Sequence, residues 1–180
     1  MSTRLWYNQF KDGWLNALPL GNGRIAAAFY GNPKTEQIQL NEESLWTGKP
    51  LKEKYSTSPE IMKEIRTLIF NEEFEKAGEL SDKYFRTTPP RVRFYQTAGD
   101  IFIDFADKSD ASNYKKELEL KTGIASCSYD KSGIHYEDEC FVSEKYDVLC
   151  YRIRTKNGEK FSFNASLIRL KNSDNTKRSS

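Results

Sequence analysis

The chain has 180 residues, enough for one domain with a buried core. Charged residues make up 30% and apolar residues 37%, and 28 basic against 26 acidic residues leave a net charge of +2. Basic residues sit beside acidic ones, as in KKELELK from Lys115 to Lys121, so the charge gives no footprint for nucleic acid or an anionic membrane, and no apolar run reaches the ~18 residues of a membrane span.

The first region, Arg4 to about Gly48, is β-like. RIAAAFYG is a short apolar run closed by Gly31, and EQIQLNE alternates through Gln37, Ile38, Gln39, Leu40 and Asn41. Gly31-Asn32-Pro33 between them cannot continue a strand, so the pair reads as a hairpin. The N-terminus, MSTRLWYNQF, lacks the apolar stretch of a signal peptide. As given, the chain is expected in the cytoplasm. With a leader already removed it would read the same and be secreted or periplasmic.

A helical insertion follows, at about residues 58–86. Ser58 is placed to cap it and Pro59 suits the first helical position. Ile61, Ile65, Leu68 and Ile69 then fall on one helix face. Asn71 reads as the cap of a second helix, with Glu72 and Glu73 near its positive end, and Phe74, Ala77 and Phe85 extend the apolar face. Thr88-Pro89-Pro90 is the stop.

The third region is β again. DIFIDF sets Ile101, Ile103 and Phe105 against Phe102 and Asp104. LELKTGIASCSYD leads to a turn at Lys131-Ser132-Gly133, and IHYEDECFVS returns with Ile134, Tyr136, Asp138 and Cys140 on one face. DVLCYRIRT and KFSFNASLIRL follow, joined at Asn157-Gly158, a strong hairpin signal. Consecutive strands on short turns predict an antiparallel meander. The tail, residues 171–180, is wholly polar and has nothing to bury. Strands therefore run almost to the end, and a sandwich ending there is expected to lack strands.

Cys127, Cys140 and Cys150 show no metal or redox spacing and read as buried free thiols, with one disulfide as the alternative; no metal and no cofactor are expected. His135, the single histidine, lies mid-strand between acids and reads as a strand-face residue rather than a base. Glu42 and Glu43 are adjacent on an extended chain, point to opposite faces, and are poorly placed to flank one glycosidic bond. A different set clusters at strand ends: Asn22 between Gly21 and Gly23, then Arg24, Asn41, Glu42 and Trp46. Amides, a guanidinium and an indole on neighbouring loops suit a sugar-facing rim. From composition alone, turn glycines, a capping asparagine and a core tryptophan are the favoured reading of the same residues.

Leu5–Pro50 carries two motifs, ALPLGNGR and IQLNEESLWTG, after a leading LWY. At this spacing the segment resembles the N-terminal region of glycoside hydrolase family 95, the inverting α-L-fucosidases. The likeness continues through FYQTAGDIFIDF and the later strands to Leu170, with Ala26-Ala27-Ala28 where members carry a glycine and Thr97-Ala98 where they carry proline-leucine. The resemblance implies a mainly β fold over residues 4–170, an antiparallel β-sandwich of the galactose-mutarotase-like type with a short helical insertion. It also implies that the catalytic carboxylates belong to an (α/α)6 barrel outside this chain. The expected role is a non-catalytic domain packing on that barrel, in an enzyme acting on α-linked fucosyl or L-galactosyl glycans. The alternatives are a stand-alone carbohydrate-binding module for fucosylated glycans, and an inactive truncated product.

Overall fold

The computed structural model describes residues 3–47, 58–85 and 94–169. The chain divides into two compact units, Met1–Leu45 with Gln96–Ser180, and Trp46–Tyr95. The first is mainly β: two five-stranded antiparallel sheets form a sandwich. One sheet takes, in order, β1 (Arg4–Tyr7), β6 (Ser112–Glu119), β7 (Ile124–Lys131), β8 (Ile134–Ser143) and β9 (Val148–Thr155). The other takes β10 (Phe163–Ile168), β5 (Gly99–Phe105), β4 (Thr35–Glu42), β3 (Ile25–Phe29) and β2 (Leu18–Gly21).

Two-residue alternation decides what each strand buries. Phe29 and Ile38 are register partners on β3 and β4, both fully buried. Across the sandwich, Leu118, Cys127, Tyr129, Tyr136 and Cys140 complete the core, with Tyr129 and Tyr136 stacked at 5.3 Å between ring centroids. The opposite face of that sheet carries cross-strand ion pairs, Arg4–Glu119, Arg152–Glu139 and Arg154–Glu137. Exposed pairs of this kind contribute little to stability, and they identify the solvent side.

Four inward positions hold ionisable groups instead of apolar ones, and three of these groups tie down the turn between β3 and β4. Glu36 is fully buried and accepts the backbone N–H groups of Tyr30, Gly31 and Asn32 at 3.0, 3.0 and 2.6 Å. Burial pushes its carboxyl up, to about 8, against the pull of those N–H groups. Lys116 donates to the carbonyls of Asn16 and Tyr30 at 2.7 and 2.8 Å. Lys131 donates to those of Pro33 and Asp107 at 2.8 and 2.9 Å, under the Phe105, Tyr129 and Tyr136 rings. Burial holds both ammonium groups below the usual lysine range. Gly31, at φ 72°, sits so close to Lys116 that an added Cβ would lie 2.6 Å from its Cδ. The fourth group, Asp138, accepts from the Tyr129 and Tyr151 hydroxyls at 3.3 and 3.2 Å.

The meander is present as β6 to β9, and it ends there. The strand after Asn157-Gly158 does not fold back on β9: β10 crosses to the other sheet and pairs with β5, Phe163 opposite Phe105. The crossing brings Phe161 and Phe163 into one aromatic cluster with Phe105 and Tyr136, at centroid distances of 5.7–6.4 Å. A hairpin onto β9 would leave those rings outside it.

The second unit holds α1 (Pro59–Phe70) and α2 (Phe74–Phe85). Ser58 caps α1 as expected, its hydroxyl accepting the Ile61 N–H at 3.4 Å. Asn71, expected to begin α2, instead closes α1. The Glu72 N–H returns to the Ile69 carbonyl and the Glu73 N–H to that of Leu68, a Schellman ending with Glu72 at φ 62°. Cys127 and Cys140 are buried free thiols, whereas Cys150, expected buried, is half-buried. Thr88-Pro89-Pro90 and the polar tail lie outside the described residues. Among the described residues no helix is long and apolar enough to cross a membrane.

Candidate functional site

The β2–β3 turn and the end of β4 form one corner of the sandwich. Asn22 is fixed from both ends of its amide. Its oxygen accepts the Arg24 and Ile25 N–H groups at 3.0 and 2.8 Å, and its nitrogen donates to the Ser143 carbonyl at 3.2 Å and to Asp147 at 2.8 Å. Arg24 then bridges Glu42 and Asp147, each at 3.3 Å. Glu42 also accepts from the Ser44 hydroxyl and N–H at 2.6 and 3.0 Å. The Ser44 hydroxyl, and after it Arg24, holds the Glu42 carboxyl below the usual range.

Three of the five candidate residues, Asn22, Arg24 and Glu42, therefore meet in one network, joined by Asp147 of the β8–β9 turn. Asp147 carries no sequence signal beyond its turn context. It enters through its left-handed backbone, φ 50°. Asn41 precedes Glu42 and faces the other side of its strand, opposite Ala26 in register. Its side-chain oxygen is buried and, among the described residues, has no hydrogen-bond partner. Trp46 belongs to the second unit, where it pairs with Tyr95 in a two-residue bridge and a T-shaped ring contact at 5.3 Å. It is 51% exposed, so it is not the core tryptophan that the scaffold reading of the sequence allowed.

Chemically, the corner is a hydrogen-bonding surface. Glu42 is held ionised and suits an acceptor rather than a proton donor, which needs a raised value. The carboxyls that burial does raise, Glu36 and Asp138, are spent inside the core on backbone N–H groups and tyrosine hydroxyls. His135 Nδ1 lies 2.5 Å from the Asp130 carboxylate and Nε2 3.9 Å from that of Glu137, contacts along one strand face. Among the described residues no group of three His, Cys, Asp or Glu side chains is close enough to hold a metal ion.

A family model described as glycosyl hydrolase family 65, N-terminal domain, matches residues 5–180. The chain is similar to alpha-L-fucosidase 2 of Arabidopsis thaliana, 30% identical over 156 residues, covering 85% of this chain and 18% of that protein. It is also similar to probable alpha-fucosidase A of Aspergillus niger, 30% identical over 78% of this chain and 18% of that protein. The Aspergillus oryzae protein of the same name is 29% identical over 77% of this chain and 20% of its own length. The matched region is thus about a fifth of the length of these relatives.

Proposed function

The chain belongs to the family of glycosyl hydrolase family 65 N-terminal domains, and from that premise we propose that it is the non-catalytic β-sandwich of an α-L-fucosidase-like glycoside hydrolase. The single observation that carries this reading is the match to about a fifth of the length of proteins named as fucosidases, by a chain that fits an N-terminal-domain family. The engagement of Glu36, Glu42 and Asp138 in structural bonds supports it. The catalytic groups then reside in another part of the polypeptide, a helical barrel. The substrate is an α-linked fucosyl or L-galactosyl glycan.

The sandwich has surface suited to packing on such a partner. β9 and β10 end their sheets, and an apolar groove of about 360 Å3 lies between them, lined by Ile101, Ile103, Leu149, Tyr151, Ile153 and Phe163. Leu167 and Ile168 on β10 are 69% and 45% exposed. Apolar surface of this kind marks a contact region. Asn22, Arg24 and Glu42, which meet at one corner, are the residues we assign to the substrate rim.

The test is hydrolysis of a chromogenic α-L-fucoside by the 180-residue chain and by the longer parent protein. Release is expected from the parent and not from the chain. Release by the chain alone, or a parent inactive on both α-L-fucosides and α-L-galactosides, overturns the proposal. In the parent, Arg24→Ala and Glu42→Ala are expected to lower kcat/KM about tenfold. Unchanged kinetics with a lower melting temperature would make them scaffold.

A further inference from the structure

A second cleft opens at the β3–β4 turn, the opposite end of β3 from Arg24. Its volume is about 630 Å3, within the range of small-molecule sites. Three segments wall it: residues 8–10 after β1, 32–34 in the turn, and 110–114 leading into β6. Its lining combines the amides of Asn8, Gln9, Asn32 and Asn113 with the rings of Phe10 and Tyr114. The full charges on its wall are Lys34 and Asp110, which pair at 2.6 Å and cancel.

The turn and the 110–114 wall are fixed, and the hydrogen-bonding groups lining the cleft are only partly used. Glu36, Lys116 and Lys131 hold the backbone of the turn from inside the core. The Tyr114 hydroxyl donates to the Gly31 carbonyl at 2.8 Å, which locks its ring. Asn32 uses its oxygen on the Lys34 and Thr35 N–H groups at 2.9 and 3.3 Å, leaving its amino group to donate outward. Asn113 sits at φ 51° in an irregular stretch of β6 and gives its amino group to Asp130 at 2.6 Å, leaving its oxygen to accept. Neither the Asn8 nor the Gln9 side chain has a hydrogen-bond partner among the described residues.

We propose that this cleft binds a neutral oligosaccharide. A sugar ring offers apolar C–H faces and a fringe of hydroxyls that both donate and accept. Phe10 and Tyr114 suit the first; the fixed Asn32 and Asn113 amides, each with one group left over, and the unpartnered amides of Asn8 and Gln9 suit the second. The cancelled charge pair gives no foothold to a phosphorylated or uronic ligand. The held turn and Tyr114 lower part of the ordering cost that weakens polar recognition. The site lies at the far end of β3 from the Asn22–Arg24 corner, so it engages a part of the glycan distant from that rim. That the sugar belongs to a fucosylated glycan rests on the proposed function; that it is a neutral saccharide does not.

The test is titration of the 15N-labelled 180-residue chain with 2′-fucosyllactose, maltotriose and glucuronic acid, followed by backbone amide shifts. Saturable shifts at residues 8–10, 32–35 and 110–114 are expected with a neutral saccharide, with Kd on the order of 1 mM. The double variant Asn8→Ala/Gln9→Ala removes two exposed amides without partners. It is expected to keep the melting temperature and to weaken binding at least about fivefold, the loss of one or two hydrogen bonds. Phe10→Ala should weaken it similarly. No shifts at about 20 mM neutral saccharide overturns the proposal, as do shifts unaffected by the double variant or equal affinity for glucuronic acid. Binding here with an inactive parent protein would sink the fucosidase reading alone; an active parent with no binding here would sink the cleft alone.

Discussion

Asp138→Asn separates one buried carboxyl from the rest of the molecule's titration. The Asp138 oxygen Oδ2 takes both tyrosine hydroxyls, while Oδ1 is buried and, among the described residues, has no partner. Burial raises the carboxyl from 3.8 to about 7, against the pull of Tyr151, Tyr129 and the Lys131 ammonium. An unfolded aspartate has already lost its proton above about pH 4, so between these values the folded chain holds the extra proton. Stability from this group is therefore complete below the unfolded value and is lost as pH rises through about 7. The slope is about 1.4 kcal/mol per pH unit, or about 2 kcal/mol between pH 5 and 7 once the half-titration at the upper end is included. For a chain of this size that is about 4–8 °C in melting temperature. Asparagine has the same shape, keeps an acceptor for the tyrosines and does not titrate. Glu36 titrates in the same direction in both proteins, and the tyrosines facing Asp138 are pushed up out of the window. Thermal and urea unfolding of both proteins at pH 5, 6, 7 and 8, at fixed ionic strength, should show the wild type losing ground to the variant by that amount. Parallel curves would mean that Asp138 is ionised throughout and that the buried-proton argument is wrong.

Glu36→Gln exchanges one acceptor oxygen for a donor facing backbone N–H groups, and should cost about 1–3 kcal/mol by urea unfolding; an unchanged midpoint would contradict the role given to Glu36. Glu72→Gly relieves a left-handed backbone at an exposed helix ending and should stabilise the helical unit by about 1 kcal/mol, read from the helical circular dichroism melt. Burial raises the Cys127 and Cys140 thiols, so a thiol reagent should label half-buried Cys150 first and the other two only on unfolding; equal rates would argue against this core.

The parts of the fold legible in the residues are local. The β3–β4 hairpin followed from Gly31-Asn32-Pro33, the start of α1 from Ser58-Pro59, and the inner face of β8 from its alternation, each set by neighbours a few positions away. The end of α1 was misread because asparagine serves both helix ends, and the choice lay in the backbone of Glu72 rather than in any residue type. The corner network was half legible: Asn22, Arg24 and Glu42 stood out, while Asp147 joins them from a turn more than 100 residues away. The buried ionisable groups did leave a trace, since Glu36 is in phase with Ile38, Lys116 with Leu118, and Lys131 with Tyr129. What marks those positions as inward is the alternation; what makes an inward polar group tolerable is a loop carbonyl or N–H group brought from elsewhere in the chain.

By itself, the sequence determined the mainly β content with a helical insertion, the family, and the inner face of β8, because propensity and periodicity act over a few residues. Only the tertiary structure decided that β10 leaves β9 for β5, that buried Glu36, Lys116 and Lys131 brace one turn, and that amides from three segments surround one cleft. Those outcomes depend on burial and hydrogen bonding between residues distant along the chain, where the free energy of a pairing is set by what else has already packed around it.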